Sequence, residues 1–162
     1  MKQLPTKKEL GQIRRTHLGR YLFELDRFYR NISIAIIQKN GFPDLTPALL
    51  ATLSQIDLEN GTEMQELVRR MKSTKQAVSR TLKTCEDLGY IERTPAPDDG
   101  RALNISFTAK GLKLMKAAAE AISMTEKRVS DSLGKVKFQD LKQLLASAVE
   151  NLDLVVVDKP HD

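Results

Sequence analysis

Residues 62–94, TEMQELVRRMKSTKQAVSRTLKTCEDLGYIERT, read as two short amphipathic helices, a tight joint and the start of a strand. Thr62 and Gln65 have the spacing of a capping box, in which a hydroxyl accepts from the third helical N–H and the Gln side chain reaches back. Behind them Met64, Leu67, Val68 and Met71 fall on one helical face. Ser73 and Gln76 repeat the capping spacing, and the helix they open has an apolar face of Val78, Leu82 and Cys85. Its opposite face carries Lys75, Gln76, Ser79, Arg80 and Lys83. Gly89 stops this helix, and Tyr90 to Thr94 reads as a strand.

Downstream, the loop from Pro95 to Arg101 leads into Leu103, Asn104, Ile105, Ser106 and Phe107, which alternate as a half-buried strand does. The result is a hairpin whose tip is longer than tight strand reversal needs. Upstream, Leu18, Leu22, Leu25, Tyr29, Ile32 and Ile36 repeat at spacings of four and three, the seam of a helix packed lengthwise on others. Asn40-Gly41 ends it. Thr46 then caps a helix with Pro47 at its first position and an inner face of Leu49, Leu50, Leu53 and Ile56, which Asn60-Gly61 terminates. Beyond the hairpin the helical period returns with Leu112, Met115, Ala119 and Ile122, breaks near Gly134, and resumes with Phe138, Leu141, Leu145, Ala148, Leu152 and Val155. These terminal seams are longer than the small central unit can cover, which predicts a homodimer; an intramolecular bundle on a monomer is the alternative. The expected architecture is mainly α with a small β-hairpin wing. Residues 1–44 would supply an N-terminal dimerisation helix, 45–111 a winged helix-turn-helix, and 112–162 the C-terminal dimerisation helices.

The formal charge of +5 favours an anionic partner. Its distribution says more: from Arg69 to Lys83 the chain carries Arg69, Arg70, Lys72, Lys75, Arg80 and Lys83 with no acidic residue among them. A single cysteine, Cys85, excludes an internal disulfide and points to a reducing compartment. A polar N-terminus and the absence of a long apolar run predict a soluble, cytoplasmic protein with no membrane partner. No nucleophile with its base, phosphate-cradling glycine loop or metal-ligand spacing occurs, and His17 and His161 stand apart, so neither an enzyme nor a metal or other cofactor is expected.

A helix, a turn, a second helix and a hairpin with a protruding tip make the order of a winged helix-turn-helix, whose second helix enters the major groove of double-stranded DNA. Arg and Lys can donate to guanine O6 and N7, Gln can bridge adenine N6 and N7, and Ser and Thr serve bases or phosphates. Lys72 and Arg69 read as solvated or phosphate-facing. Gln76 has two uses open to it, the capping box with Ser73 or a base contact.

Asp99-Gly-Arg101, then five residues, then Phe107-Thr108-Ala-Lys-Gly111 resembles the D-x-R-x5-L-T-x-K-G wing pattern of the MarR family of bacterial regulators, with Phe107 where the family has leucine. QELVRRMKSTKQAVSRTLKTCEDLGYIER is similar to the family's two helices and first wing strand, with Val68 and Cys85 at places usually held by alanine and leucine. The resemblance implies a dimer that binds pseudo-palindromic operator DNA and represses or otherwise regulates transcription. It places Ser73, Thr74, Lys75, Gln76, Ser79, Arg80 and Lys83 on the DNA, with Arg80 the leading base contact and Lys83 a phosphate contact. It also places Arg101 in the minor groove from the wing tip, its guanidinium held by Asp99. Asp99 merely capping a turn is the plainer alternative. Family members bind small aromatic or anionic effectors, for which His17, Tyr21 and Tyr29 are candidate lining residues; core or interface packing is the other reading of these rings. Oxidant sensing through cysteine also occurs in the family, but Cys85 falls on the apolar face, where thiols stay protonated. A winged helix used only for protein contacts is the competing function, and the cationic segment with an arginine at the wing tip weighs against it.

Overall fold

Several helix starts in this chain are set by side chains that satisfy the free N–H groups of the first turn. The computed structural model describes residues 5–95 and 103–156, with side chains as far as Leu152. Thr6 opens α1 (Lys7–Thr16) in a capping box with Glu9. His17 opens α2 (Leu18–Lys39), its Nδ1 accepting from the Arg20 N–H at 3.1 Å. The seam from Leu18 to Ile36 thus lies within α2 alone, and residues 1–44, expected to supply one helix, hold a second one before it, parted from it where an imidazole acts as a cap. Thr46 caps α3 (Pro47–Leu53) as the sequence indicates, with Pro47 in the first turn.

α3 stops earlier than Asn60-Gly61. A run of turns carries Ile56 into the core, and Asp57 then accepts from the N–H groups of Glu59 and Asn60 at 3.0 and 2.7 Å. Those two backbone bonds hold the Asp57 carboxyl below its usual range. Thr62 does not cap a helix. It belongs to β1 (Thr62–Glu63), pairs with Ile105, and its hydroxyl accepts from the Asp57 N–H at 2.8 Å. The following α4 (Met64–Arg70) starts after Glu63 without a side-chain cap, so the Thr62–Gln65 capping box is absent. The strand wins because Thr62 is buried against the sheet, where its hydroxyl is needed by Asp57.

The second helix of the motif, α5 (Lys75–Asp87), is capped one residue later than expected: Thr74, not Ser73, accepts from the Ala77 N–H at 3.2 Å. The apolar face of Val78, Leu82 and Cys85 is fully in the core. β2 (Ile91–Pro95) and β3 (Leu103–Phe107) pair antiparallel from Ile91↔Phe107 to Pro95↔Leu103, giving a sheet in the order β1-β3-β2. Two long helices follow, α6 (Ala109–Leu133) and α7 (Lys135–Val156), parted by Gly134 at φ 85°.

The chain forms two compact units, Met1–Ile122 and Ser123–Asp162, with the boundary inside α6. The core of the first gathers Ile34, Ile37, Leu53, Leu67, Leu82, Tyr90, Ile105 and Leu114. The seam residues expected to pack lengthwise are not its main contributors. α2 buries Ser33, Ile34 and Ile37, while Leu18 and Leu22 are exposed. α6 buries Leu114, Ala117, Ala118 and Ala121, while Leu112 and Ile122 are exposed. Each helix thus has a broad apolar surface, and one flank of it fills the core. In the second unit Thr125 and Val129 are buried and Leu144 is 71% exposed. No described helix is long and apolar enough to cross a membrane.

The end of α5 is tied to the start of α6. Gly89, at φ 74°, lets its own N–H bond to Glu86 O and the Tyr90 N–H bond to Cys85 O, closing the helix with a left-handed turn. Thr108 then donates its hydroxyl to Gly89 O at 2.6 Å, its N–H to Tyr90 O at 3.1 Å, and accepts from the Gly111 N–H at 3.1 Å. Lys110 Nζ donates to Leu88 O at 2.7 Å and lies 4.9 Å from the Tyr90 ring centre. Gly111 sits so close that a Cβ there would fall 1.9 Å from Tyr90 O. Replacing Gly111 by Ala should therefore destabilise the fold by at least about 1–3 kcal/mol, as overpacking against backbone does. Urea unfolding checks it, and wild-type stability in the variant would show that the approach is looser than described.

Candidate nucleic-acid interface

Because α5 buries one side and is held at its C-terminal end, its opposite side faces outward as a fixed surface. Lys75, Gln76, Ser79, Arg80, Lys83 and Thr84 line one open depression there. Five of these are residues the sequence singles out; Thr84 is the addition, legible from its position four residues after Arg80. The shifted cap leaves Gln76 exposed and out of any capping box, so its amide stays available. Thr74 spends its hydroxyl on the helix N-terminus, and Ser73 is exposed beside it.

The cationic segment is less uniformly charged than its sequence suggests. Glu66 pairs with both Arg69 and Arg70 at 2.7 Å, and these two guanidinium hydrogen bonds hold its carboxyl down at about 2. Lys83 pairs with Asp87 at 2.5 Å, which raises the Lys83 pKa through that hydrogen bond and charge. Among the described residues Lys72, Lys75 and Arg80 make no ion pair, and all are exposed. The positive charge left uncompensated lies along the turn and the N-terminal half of α5.

Arg93 is a residue that sequence reasoning does not single out. From β2 it lies mostly buried against α5, its Nε 3.3 Å from Glu86 Oε2 without hydrogen-bond alignment, and its Nη2 donating a long 3.5 Å bond to Ser79 O. It struts the wing strand against the exposed helix. The sequence signal is weak, since an arginine at an intermediate strand position reads as solvated.

Asp99 and Arg101 lie outside the described residues. Among the described residues His17 is a helix cap, Tyr21 is exposed, and Tyr29 packs edge-on to Phe28 with ring centres 6.2 Å apart. An apolar cavity of about 290 Å³ that none of these three lines sits between α2, α3 and α6, walled by Ile34, Ile37, Leu50, Met115 and Ala118 with Arg30 at its lining. Arg30 is bonded to Asp26. The sequence hides this cavity because its walls come from the flanks of three helices rather than from one seam. Cys85 is fully buried, and desolvation pushes its thiol up to about 11.

The MarR family profile matches residues 44–102, from the loop before α3 into the wing. The HTH-type transcriptional repressor Rv2887 of Mycobacterium tuberculosis is 29% identical over 128 residues, covering 79% of this chain and 90% of that protein. The family match, the repressor relatives and the MarR structures together support a MarR-family regulator. Members of that family are transcriptional regulators, not enzymes. The transcriptional regulator HosA of Escherichia coli is 31% identical over 80 residues, 49% of this chain and 59% of that protein. A cysteine-to-serine variant of E. coli MarR, crystallised with operator DNA, shares the winged-helix fold with a TM-score of 0.66 at 20% identity, over 81% of this chain and 92% of that one.

The local geometry of α5 can be checked at its cap and at its buried thiol. Thr74→Ala should lose about 1 kcal/mol of stability as an N-cap, whereas Ser73→Ala should stay within about 0.5 kcal/mol of wild type; the reverse order in thermal melts would restore Ser73 as the cap. In the native protein Cys85 should react with a thiol reagent at neutral pH only as fast as the fold opens, so rapid labelling without unfolding would contradict its burial.

Proposed function

We propose that this MarR-family regulator represses transcription as a homodimer on pseudo-palindromic operators, with α5 of each subunit in the major groove. The observation that carries the reading is the fixed outward face of α5, on which Lys75, Gln76 and Arg80 are exposed, Ser79 is half-buried beside them, and two cations are uncompensated. Arg80 offers a fork suited to guanine O6 and N7, and Gln76 an amide suited to adenine. Lys83 can exchange Asp87 for a phosphate at small cost, because exposed pairs of this kind contribute about 0–1 kcal/mol. Arg101 would reach the minor groove from the wing with Asp99 holding its guanidinium. The relative named as a repressor and the E. coli structure bound to operator DNA support the assignment.

The terminal helices support the dimer. On α1 and α2 Leu10, Ile13, Leu18, Tyr21 and Phe23 are exposed, and on α7 Val136, Leu144 and Val149 are exposed. Apolar rows of this size are costly in water and suit a second copy of the same helices. The recognition helices would then meet successive major grooves about 34 Å apart. The cavity between α2, α3 and α6 is where a small aromatic or anionic effector would bind, its ring against Ile34 and Leu50 and its charge toward Arg30. An effector that prefers a DNA-incompetent arrangement lowers operator affinity by its differential affinity for the two states.

Fluorescence anisotropy with a selected genomic duplex, across a salt series, tests the reading. Wild-type affinity should fall steeply with salt, by about 0.9 log unit per contacted phosphate for each tenfold rise. Arg80→Ala should lose about 1–3 kcal/mol and relax base preference, and Arg101→Ala should weaken binding with the dimer intact on sizing chromatography. Salt-independent binding, or undiminished preference without Arg80, would remove the assignment in favour of a protein-contact role.

A further inference from the structure

A left-handed residue follows four of the described helices, and at one of the four it is not glycine. Left-handed glycines follow α2, α5 and α6: Gly41 at φ 98°, Gly89 at φ 74° and Gly134 at φ 85°. The turn after α4 has the bonding of the Gly89 turn, with the N–H of residue 72 to Arg69 O at 3.2 Å and the Ser73 N–H to Val68 O at 3.5 Å. Yet the left-handed position there is Lys72, at φ 45°, which among the described residues is the non-glycine with positive φ. A Cβ in that region crowds the backbone, and glycine would relieve it.

Helix α4 does not need the cation. Its last turn already holds Arg69 and Arg70, both paired with Glu66. The next helix begins at Lys75, where its dipole disfavours a nearby positive charge. Lys72 is exposed and forms no ion pair among the described residues. It stands in the joint of the helix-turn-helix, beside the N-terminus that leads into the groove.

We propose that Lys72 is a DNA phosphate contact, held in a strained left-handed turn whose charge increases operator affinity while its backbone lowers the stability of the fold. The proposal rests on α5 being the DNA-facing helix, and it makes this turn a second point of backbone anchoring beyond the helix face.

Lys72→Gly, Lys72→Asn and Lys72→Arg separate the two halves. Glycine should raise the melting temperature by about 1–4 °C through relief of strain. Glycine and asparagine should weaken duplex binding about three- to tenfold near 0.1 M salt and shallow the salt slope by about 0.9 for each bound subunit, whereas arginine should keep the wild-type slope. Wild-type protein that shows no salt-dependent duplex binding would sink the DNA reading and this contact together. Wild-type binding whose slope survives Lys72→Gly and Lys72→Asn would overturn the contact alone, and an unraised melting temperature in Lys72→Gly would overturn the strain.

Discussion

The close approach of Gly111 to Tyr90 is the constraint on which the rest of the functional face depends. It lets Thr108 bond back to Gly89 and Tyr90 and lets Lys110 reach Leu88, so that the free carbonyls at the end of α5 are met by the start of α6. A lysine at a helix C-terminus also complements its dipole. The Phe107-Thr108-Ala-Lys-Gly111 run, which in the sequence is only a family signature, is in physical terms a clamp. It fixes where α5 ends and how its outer side is presented, and Arg93 adds a second fastening from the wing strand.

Given that clamp, electrostatics does the selecting. Six cations between Arg69 and Lys83 look equivalent in the sequence, but Glu66 and Asp87, lying just outside the segment, compensate three of them. The remaining charge is concentrated at the joint and the first turns of α5, where a duplex backbone and base edges would meet it. Net charge steers the encounter with an anion, while this local pattern determines which side of the molecule the anion meets.

Much of this is legible in the sequence where one signal stands without a competitor. Gly89, Thr46 with Pro47, and the Val78, Leu82, Cys85 face all have the roles their residue types indicate. Sequence reasoning fails where two local rules compete. Thr62 fits a capping box and a strand equally well, and a three-stranded sheet formed by residues more than forty positions apart decides for the strand. Ser73 and Thr74 are both good caps, and the left-handed turn at Lys72 places Thr74 at the boundary. The seams of the terminal helices are apolar as their period indicates, but periodicity cannot say which flank of a broad stripe fills the core, so it does not pick out Ile34, Ile37 and Leu114. The cavity beside Arg30 is invisible for a related reason, being assembled from three helices.

Hydrogen exchange resolved to single amides, compared between the free protein and its operator complex, reads both the clamp and the outward face of α5. The clamp amides of Tyr90 and Thr108 should already exchange with the protection of the core and change little on binding. Protection should rise from Lys72 through Arg80. Fast exchange at Tyr90 and Thr108 in the free protein would mean that no clamp holds α5, and a DNA footprint that leaves residues 72–80 unaltered would mean that the duplex meets another face.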